Sequence, residues 1–547
     1  MGQSRACGLW ATALIGSIGL GWETHAPAQT RPAAGQVRLS EQPVVRVQQF
    51  IFEGNTQLDE AELIAAIDAE LPDWRERPLA MEDLIAARDA VTRAYINAGY
   101  INSGAVIPDQ SVSDGRILIR ITEGRLTEIR LSGNRRLRQQ YILSRVSGDE
   151  NEALNLSSLR QRLELLRQDG NIDRVTAGLQ PGVRPGEAVL DLEVAERSPY
   201  FVALQFDNYR SPSIVAERFE LLMGHRNLTG NGDALSLQYG LTRGGFDEMQ
   251  FSCFDDVAVA YALPLNANNT TLIISYARSD ELVIEAPFDD LDIQSRTDSL
   301  DVTLRHPLRR TPNDELALLA TTSVRRNRTE LSGQPFSFSP GAHDGRSNIT
   351  ALRLGAVWGA WDVQQAIELR ATVSFGIDAF GATINGDGIA DSRFVSFLGQ
   401  SQYIRRIEPW DAQLLLRGAV QLSTDSLMSI EQIPIGGYQT VRGYRQNAIV
   451  RDNGVVASAE LRMPVVRRGE KALLTLAPFF DAGYGWNDDG APDYPMLWSV
   501  GIGAILTPTD NLAASLYWGY ALNELDDDNH DPQDHGLHFS LTWTLID

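Results

Sequence analysis

The sequence predicts two α+β units followed by an all-β transmembrane barrel of 16 strands. Residues 44–197 contain a repeated pattern of strand-like and helix-like segments. From about Tyr200 onward the helical spacing disappears, and apolar residues alternate with polar ones as they do in strands that have one wet face. An amino-terminal apolar segment places the chain outside the cytoplasm. Together these three observations favour a membrane barrel preceded by two small domains.

Residues 1–28 have the features of a secretory signal peptide. Arg5 supplies a short positive region, residues 9–22 are mostly apolar, and residues 26–28 (APA) fit a cleavage site with small residues. The alternative is a permanent membrane anchor, but the apolar run is shorter than the ~20 residues that a spanning helix needs. No later stretch is apolar over a spanning length, so a membrane location requires a closed barrel, in which every backbone group is paired.

The composition excludes several classes of function. A net charge of −23 argues against nucleic-acid binding, which needs a basic surface. Cleavage of the signal would remove Cys7 and leave Cys253 alone, so we predict no internal disulfide. None of the seven histidines belongs to a metal-binding motif, and no Ser/His/Asp constellation, phosphate loop or pair of catalytic acids stands out. We therefore predict no enzyme activity, no metal and no cofactor.

The two repeated units span residues 44–124 and 125–197. The turn sequence FEGN at residues 52–55 recurs as LSGN at residues 131–134. Each unit reads as strand, helix, helix, strand, strand. The alternative interpretation is a pair of α+β domains that act only as spacers.

Apolar spacing marks the elements of both units. Pro72 ends the first helix, and Gly99 follows the second helix as a C′ residue. The first unit is marked by Val45, Val47 and Ile51 for a strand; Leu63, Ile64, Ile67 and Leu71 for a helix; Leu84, Ala87, Val91, Tyr95 and Ala98 for a helix; and Ile117, Ile119 and Ile121 for a strand. The second unit is marked by Leu159, Leu163 and Leu166 for a helix and by Leu190, Leu192 and Val194 for a strand.

Regular alternation of apolar and polar residues predicts the barrel at residues 200–547. The clearest apolar sets are Leu235, Leu237, Tyr239; Leu300, Val302, Leu304; Ile367, Leu369, Ala371, Val373; Leu512, Ala514, Leu516, Trp518, Tyr520; and Leu537, Phe539, Leu541, Trp543, Leu545. A β-sandwich would also alternate, but the longer runs approach the ~9–11 residues of a tilted membrane strand, and Trp and Tyr recur near strand ends. Sixteen strands leave about 22 residues for each strand and its connection, whereas eight would leave about 44 and need very long loops.

Two motifs near the end of the chain connect this architecture with a known family. The string VRGY occupies Val441, Arg442, Gly443 and Tyr444, and Phe479, Asp481 and Gly483 belong to the later string FFDAG. Such a pair within a run of strands resembles the outer-membrane superfamily that unites two-partner-secretion transporters with barrel-assembly proteins. Other matching segments are residues 179–182, 206–208, 227–233, Gly454 and residues 460–462.

With its signal, two repeats and barrel-length β region, the chain resembles the TpsB transporters of two-partner secretion, the hemolysin secretion/activation family. The resemblance implies that the repeats are POTRA domains in the periplasm, which capture an unfolded client by β-augmentation. It implies export of a TpsA-like exoprotein through a barrel in the outer membrane. The expected partners are that client, outer-membrane lipid and, during biogenesis, the barrel-assembly machinery. Residues 29–43 form a linker that is too short for the plug helix and long linker of some members.

The resemblance also assigns roles to the motif residues. In the family the VRGY loop folds back into the barrel lumen, where a buried cation needs a partner. Asp481 on the barrel wall would pair with Arg442 and hold the loop. Gly443 would allow tight passage of the backbone, and Tyr444 would pack against the wall. The alternative is an ordinary surface arginine in a hairpin.

Rival functions stay open on the sequence. Assembly factors of the same superfamily also carry VRGY-type loops, but they typically have more POTRA repeats than the two detectable here. A passive porin would need neither the repeats nor the Arg–Asp pair, and an outer-membrane hydrolase would need a nucleophile that is not apparent. The acid-rich residues 523–535 do not match the spacing of an EF-hand loop, so we interpret them as a solvated outer loop.

Overall fold

The computed structural model describes residues 44–547, except residues 113, 149–151, 243–255, 284, 286–290, 387, 488–495, 524 and 526–530. The predicted signal peptide and linker, Cys7, Cys253 and part of the acid-rich segment lie outside the described residues. The chain divides into two compact units. One comprises the residues up to Tyr95 with Ser103–Thr122, and the other comprises Ile96–Asn102 with Glu123–Asp547.

The first repeat has the predicted order of elements. Its bounds are β1 Val44–Val45, β2 Gln49–Glu53, α1 Glu60–Glu70, β3 Leu79–Ala80, α2 Met81–Asn97, β4 Gly104–Val106 and β5 Arg116–Thr122. The three-stranded sheet has the order β2-β5-β4, with β2 parallel to β5. Helix α1 begins with a capping box at Asp59 and ends just before Pro72, because the residue preceding a proline disfavours the helical conformation. Buried Leu63, Ile67 and Ile119 belong to the core, as their spacing predicts.

Two details of the first repeat differ from the prediction. Ile51 is exposed, and its neighbours Phe50 and Phe52 are buried instead. The chain leaves β1 after Val45 and enters a different sheet at β2, so the alternation that starts at Val45 does not continue across the break. Ala98 lies beyond the end of α2 and is also exposed.

The second repeat has the same order of elements. Its bounds are β6 Arg125–Ser132, α3 Gln139–Val146, α4 Leu156–Arg167, β7 Ile172–Pro181 and β8 Glu187–Glu196. The sheet order is β6-β8-β7, with β6 parallel to β8 and β7 antiparallel to it. Asn155 caps α4 through its side chain, and Leu159 and Leu166 pack with Leu190 and Leu192 in the core. Strand β7 is therefore an edge strand of this sheet.

The remaining strands form a closed antiparallel barrel, which confirms the predicted 16 strands. Strands β9 and β27 pair and close the circle. The short β16 extends the end of β15, and β21 and β22 form a separate hairpin. The bounds are β9 Tyr200–Asp207, β10 Arg218–His225, β11 Ala234–Thr242, β12 Asp256–Pro264, β13 Thr271–Leu282, β14 Ile293–Arg310, β15 Asp314–Leu331, β16 Gln334–Pro335, β17 Arg346–Trp361, β18 Gln365–Gly376, β19 Val395–Ile407, β20 Ala412–Ser423, β21 Ile433–Ile435, β22 Ile449–Arg451, β23 Asn453–Arg468, β24 Lys471–Trp486, β25 Leu497–Thr509, β26 Leu512–Ala521 and β27 Leu537–Ile546.

Alternation along each strand separates an outer apolar face from a polar lumen. In β26 Leu516 and Trp518 are 51% and 47% exposed on the outer face, while Tyr517 between them is buried in the interior. In β14 Leu300 and Leu304 are exposed in the same way. This is the pattern of strands that face lipid on one side. Among the described residues, no helix is both long and apolar enough to span a bilayer.

The two ends of the barrel differ in the length of their connections. The second repeat leads directly into β9, so we call this end the repeat side and the opposite end the far side. On the repeat side the strands are joined by short turns, such as residues 311–313 and 469–470. The far side carries longer connections, of which residues 424–452 between β20 and β23 are the longest. These residues contain the VRGY motif.

Candidate functional site

The connection of residues 424–452 folds into the barrel, and we call it the lumen loop. It contains a 3₁₀ turn at Ser429–Glu431 and the hairpin of β21 and β22. Its apolar side chains Ile435, Val441 and Ile449 pack in one cluster with Val456 of β23 and Leu497 of β25. The loop is therefore packed against the inside of the wall.

Arg442 is the most deeply held cation of the loop, with 1% of the residue exposed. Its Nε and Nη2 donate to the two carboxylate oxygens of Asp481 at 2.7 and 2.9 Å, and its backbone N–H donates to the same carboxylate at 3.1 Å. A planar guanidinium that meets a carboxylate through two parallel bonds is a strong and directional pair. The structure thus brings together the two residues that the resemblance paired.

A second carboxylate, which sequence reasoning missed, also holds Arg442. Glu460 of β23 accepts a hydrogen bond from Nη1, and Ser458 lies 3.3 Å from Nη2. Glu460 also accepts from Arg462 Nε at 2.7 Å and from the Tyr517 hydroxyl at 3.2 Å. Two guanidinium groups therefore face two carboxylates, so the charges of this cluster balance, although Arg462 is partly exposed.

The register of β23 and β24 explains why these side chains converge. Ser458 lies opposite Asp481, and Glu460 lies opposite Phe479. Residues two apart on a strand share a face, so all four point into the lumen. The Glu460-Leu461-Arg462 segment was visible in the sequence, but only the pairing of the strands shows that Glu460 reaches Arg442.

Two aromatic rings cover the guanidinium of Arg442. Its Cζ lies 3.7 Å from the centroid of Phe479 and 5.0 Å from that of Tyr517. A cation over a ring gains up to about 2 kcal/mol when both are desolvated. The F-x-D spacing therefore supplies a ring and a carboxylate from the same face of β24.

Glycines allow the loop to lie directly against the wall. Gly443 has a φ of +96°, and a Cβ on Gly519 of β26 would lie 2.6 Å from the Gly443 nitrogen. A Cβ on Gly483 would lie 2.5 Å from Ile435 Cγ2 and 2.8 Å from Val441 Cγ2. Either added carbon would displace the loop, because such distances are shorter than van der Waals contact.

Tyr444 fastens the end of the motif. Its ring is buried, and its hydroxyl lies 3.0 Å from the carbonyl oxygen of Trp498 and 2.9 Å from that of Asn523. The hydroxyl also accepts a hydrogen bond from the Asn523 backbone N–H at 3.2 Å. Tyr444 therefore connects the loop with β25 and with the connection that follows β26.

A second set of ion pairs, which the sequence analysis did not predict, also attaches the loop to the wall. We call the attachments at Arg442 and at Glu431 the two anchors. In the second anchor the charges of the loop and the wall are reversed. Glu431 accepts from Arg353 of β17 at 2.7 Å and lies 3.1 Å from Arg325 of β15. Arg325 also donates to the carbonyl oxygen of Ile430 at 3.0 Å. Beside it, the loop buries Leu427 and Met428 in an apolar cluster with Ile349, Ala351, Ala390 and Phe394. Here the loop supplies the carboxylate and the wall supplies the arginines.

The two anchors lie on different parts of the barrel wall. Glu431 contacts β15 and β17, whereas Arg442 contacts β23 and β24. In the circle of 16 strands, β17 and β23 are four positions apart, and β15 and β24 are six. The lumen loop is therefore fastened to two separate parts of the wall.

The far-side connections add a third set of contacts. Arg445 of the loop pairs with Asp534, which lies between β26 and β27, and with Glu285, which lies between β13 and β14. Tyr438 stacks on Tyr209 with ring centroids 4.0 Å apart. Asp534 belongs to the acid-rich segment, so part of that segment pairs with the loop instead of being freely solvated.

The site consists of ion pairs and apolar contacts that attach the lumen loop to the wall. Within the described ranges, no group of three or more His, Cys, Asp and Glu side chains is placed to hold a metal ion. The buried charges are instead matched in pairs between a loop and the wall that surrounds it. Such pairs hold a segment in one place, and their rupture would leave charges buried without partners.

Comparison with known proteins relates the chain to a family. Residues 186–506 match the model of the family described as haemolysin secretion/activation protein ShlB/FhaC/HecB. Residues 45–124 match the POTRA domain of ShlB type. The first match covers most of the barrel, including both motifs, and the second covers the first repeat.

Individual relatives agree with these matches. The outer membrane transporter CdiB of Escherichia coli O6:K15:H31 is 26% identical over 91% of this chain and 83% of its own length. The heme/hemopexin transporter protein HuxB of Haemophilus influenzae is 24% identical, over 81% of this chain and 76% of its own. The solved structure of CdiB from Escherichia coli superposes with a TM-score of 0.70 at 23% identity, covering 95% of this chain and 94% of that one. This last likeness concerns the fold.

Proposed function

Because this chain belongs to the haemolysin secretion/activation family (ShlB/FhaC/HecB), we propose that it exports a partner exoprotein through its barrel. Membership confirms the predicted location in the outer membrane, with the POTRA domains in the periplasm. The repeat side of the barrel therefore faces the periplasm, and the far side faces the cell exterior. Family members are transporters, which agrees with the sequence-based prediction that this chain has no enzyme activity.

The lumen loop is the observation that carries this proposal. A passive pore gains nothing from a loop that is fastened to two parts of its wall, whereas a transporter for an unfolded chain needs a barrier that can yield. The buried pairs of Arg442 and Glu431 provide such a barrier, since removing one partner of a buried pair costs about 3–5 kcal/mol. A client segment that enters the lumen would make contacts with the wall, and these would replace the contacts that hold the loop.

The periplasmic repeats supply the surface for client capture in this proposal. Strand β7 of the second repeat is ten residues long and pairs with β8 on one side only. An open strand edge of this length can accept an extended peptide as an additional strand, which satisfies the backbone of both. The edge strand β4 of the first repeat has three residues, so we assign the larger part of the capture to β7.

The proposed energy source is the client itself. Folding of the exported chain outside the cell would make its return unfavourable, and the sequence has no phosphate-binding loop that would indicate nucleotide hydrolysis. Each exported segment would thus draw the next one past the lumen loop.

The decisive experiment compares the secreted and outer-membrane proteins of cells with and without this gene. Loss of one or a few large proteins from the medium is the expected result and would identify the client. A broad fall in many outer-membrane barrels would instead indicate an assembly factor of the same superfamily. An unchanged protein profile would favour a passive porin.

A further inference from the structure

The outer face of the barrel carries a cluster of arginines at one place on its exterior rim. Strand pairing aligns Tyr276, Leu300, Val324 and Thr350 in one row across β13, β14, β15 and β17. The next row towards the exterior is Arg278, Asp298, Arg326 and Asn348, and the row after it is Asp280, Arg296, Arg328 and Arg346. We call the five arginines and two aspartates of these two rows the arginine patch.

The patch faces outward and not into the lumen. Leu300 and Val302 of β14 are exposed on the lipid-facing side, and Arg296 has the same parity as Leu300 and a side chain that is 50% exposed. In β15 Arg325 contacts the lumen loop, so the neighbouring Arg326 points to the other face. The patch therefore begins directly above the apolar band, at the depth of the lipid head groups.

The charges of the patch are not balanced within the described part of the protein. Asp280 pairs with Arg278 at 2.9 Å and with Arg296 at 2.5 Å, and Asp298 accepts from the Tyr276 hydroxyl at 2.6 Å. Arg326, Arg328 and Arg346 are exposed and form no ion pair with any described carboxylate. Among the described residues, these three arginines thus have no ion-pair partner, in a chain whose net charge is −23.

The second row is electrostatically unfavourable as it stands. Arg296, Arg328 and Arg346 lie directly opposite one another on three neighbouring strands, which are about 4.8 Å apart. Like charges in opposite positions destabilise a sheet, so an external anion that lies between them would relieve the repulsion. On β18, β20, β23 and β25 the outward residues near the exterior rim are instead exposed and apolar, namely Phe375, Leu422, Val455 and Trp498.

We propose that the arginine patch binds the phosphorylated head group of an outer-leaflet lipid. Phosphate is the anion that guanidinium groups recognise best, through paired hydrogen bonds. The acyl chains of such a lipid would lie on the apolar row that contains Leu300 and Val324, immediately below the patch. A free anion would interact with the arginine charges, but it has no acyl chains that could contact this apolar surface. The lipid would thereby fix the depth and rotation of the barrel wall formed by β13, β14, β15 and β17.

The test measures the affinity of the purified full chain for lipid A in mixed detergent micelles. Lipid A is the probe because it carries two phosphates on an acylated disaccharide. We expect lipid A to raise the thermal unfolding midpoint of the protein, because a ligand that binds only the folded state stabilises it. Inorganic phosphate and lipid A freed of its phosphates should have little effect. If inorganic phosphate stabilises the protein equally, the patch is a site for free anions and the lipid assignment is wrong.

The variant R326Q/R328Q/R346Q removes the three arginines of the patch that pair with no described carboxylate. Its Kd for lipid A should rise on the order of a hundredfold, because each basic residue near an anionic membrane surface contributes about a factor of five. Its unfolding midpoint without lipid should not fall, since repulsion is removed. The matched control R309Q/R405Q/R468Q removes three exposed arginines near the repeat side and should bind like the unaltered protein. Unchanged binding in the first variant, or equal loss in both, would overturn the proposal.

Discussion

At the scale of single residues, Arg442 shows why the VRGY motif requires a guanidinium and not merely a positive charge. The side chain donates to Asp481, Glu460 and Ser458 in different directions while its plane lies over Phe479. A lysine ammonium is a compact charge and cannot make the bidentate pair and the stacked contact at once. The role of the motif in export remains a proposal, and substitutions test it.

We predict that R442K reduces export at least tenfold. Loss of the bidentate pair should weaken the attachment of the loop by a few kcal/mol, because one carboxylate is left without its partner. Export is measured as client protein in the medium, and insertion is measured by heat-modifiable migration of the barrel. R370K is the control, since Arg370 is half exposed and lies 3.9 Å from its nearest carboxylate. Normal insertion with full export by R442K would contradict the role of the loop.

The glycine at position 483 provides a steric test of the same contact. In G483A the new methyl group would meet Ile435 and Val441, so the lumen loop should shift at a cost of about 1–3 kcal/mol. We expect a lower unfolding midpoint and increased reactivity of a cysteine placed in the loop. G386A is the matched control, because no atom lies within 4 Å of a Cβ at that position. An equal response of both variants would mean that the contact does not restrain the loop.

At the scale of elements, the lumen loop is fastened at both ends with opposite polarity. Arg442 places a cation of the loop between wall carboxylates, and Glu431 places a carboxylate of the loop between wall arginines. If Arg442 and Glu431 paired with each other within the loop, neither of them would attach the loop to the wall. The position of the loop therefore depends on contacts with two parts of the same barrel wall.

We predict that E431Q opens the pore without releasing the Arg442 end. The substitution removes the charge that holds Arg325 and Arg353, so that side of the loop should leave the wall more often. Planar-bilayer recordings should show larger or more frequent openings than the unaltered protein. D425N changes a carboxylate of the same loop that contacts Thr424 and the Val395 backbone but no arginine, and it should conduct normally. If both variants conduct alike, Glu431 is not an anchor.

At the scale of the whole molecule, the barrel and the first repeat belong to different compact units. The closed sheet satisfies its own backbone, and the lumen loop is held by wall residues such as Arg353 of β17 and Asp481 of β24. In the proposed function, the two periplasmic repeats capture the client and the barrel with its loop provides the passage.

Deletion of residues 44–122 should therefore separate insertion from export. We expect the shortened protein to reach the outer membrane and to show the heat-modifiable migration of a folded barrel, because the closed sheet is intact. Client protein in the medium should fall but stay above the level of cells without the gene, because β7 of the second repeat is retained. Export at the normal rate would show that the first repeat is dispensable, and loss of the folded barrel would show that it is needed for assembly.

The sequence by itself determined the elements and the family. Apolar residues at every second position from Leu512 to Tyr520 indicate which side chains share one face of a strand. The helical spacing of residues such as Leu63 and Ile67 indicates which side chains share one face of a helix. These are local properties of the chain, so strands and helices could be predicted, and the number of barrel strands followed from the length of residues 200–547. The pairing of Arg442 with Asp481 could be predicted only because the VRGY and F-x-D strings resemble those of a known family.

Only the tertiary structure decided which distant side chains meet. Glu460 joins Arg442 because β23 and β24 pair in one register, and Glu431 reaches β15 and β17 because the loop folds into the lumen. The three aligned arginines of the exterior rim likewise depend on the register of β14, β15 and β17. Register and loop path are set by contacts between segments far apart in sequence, and a local apolar period carries no information about them.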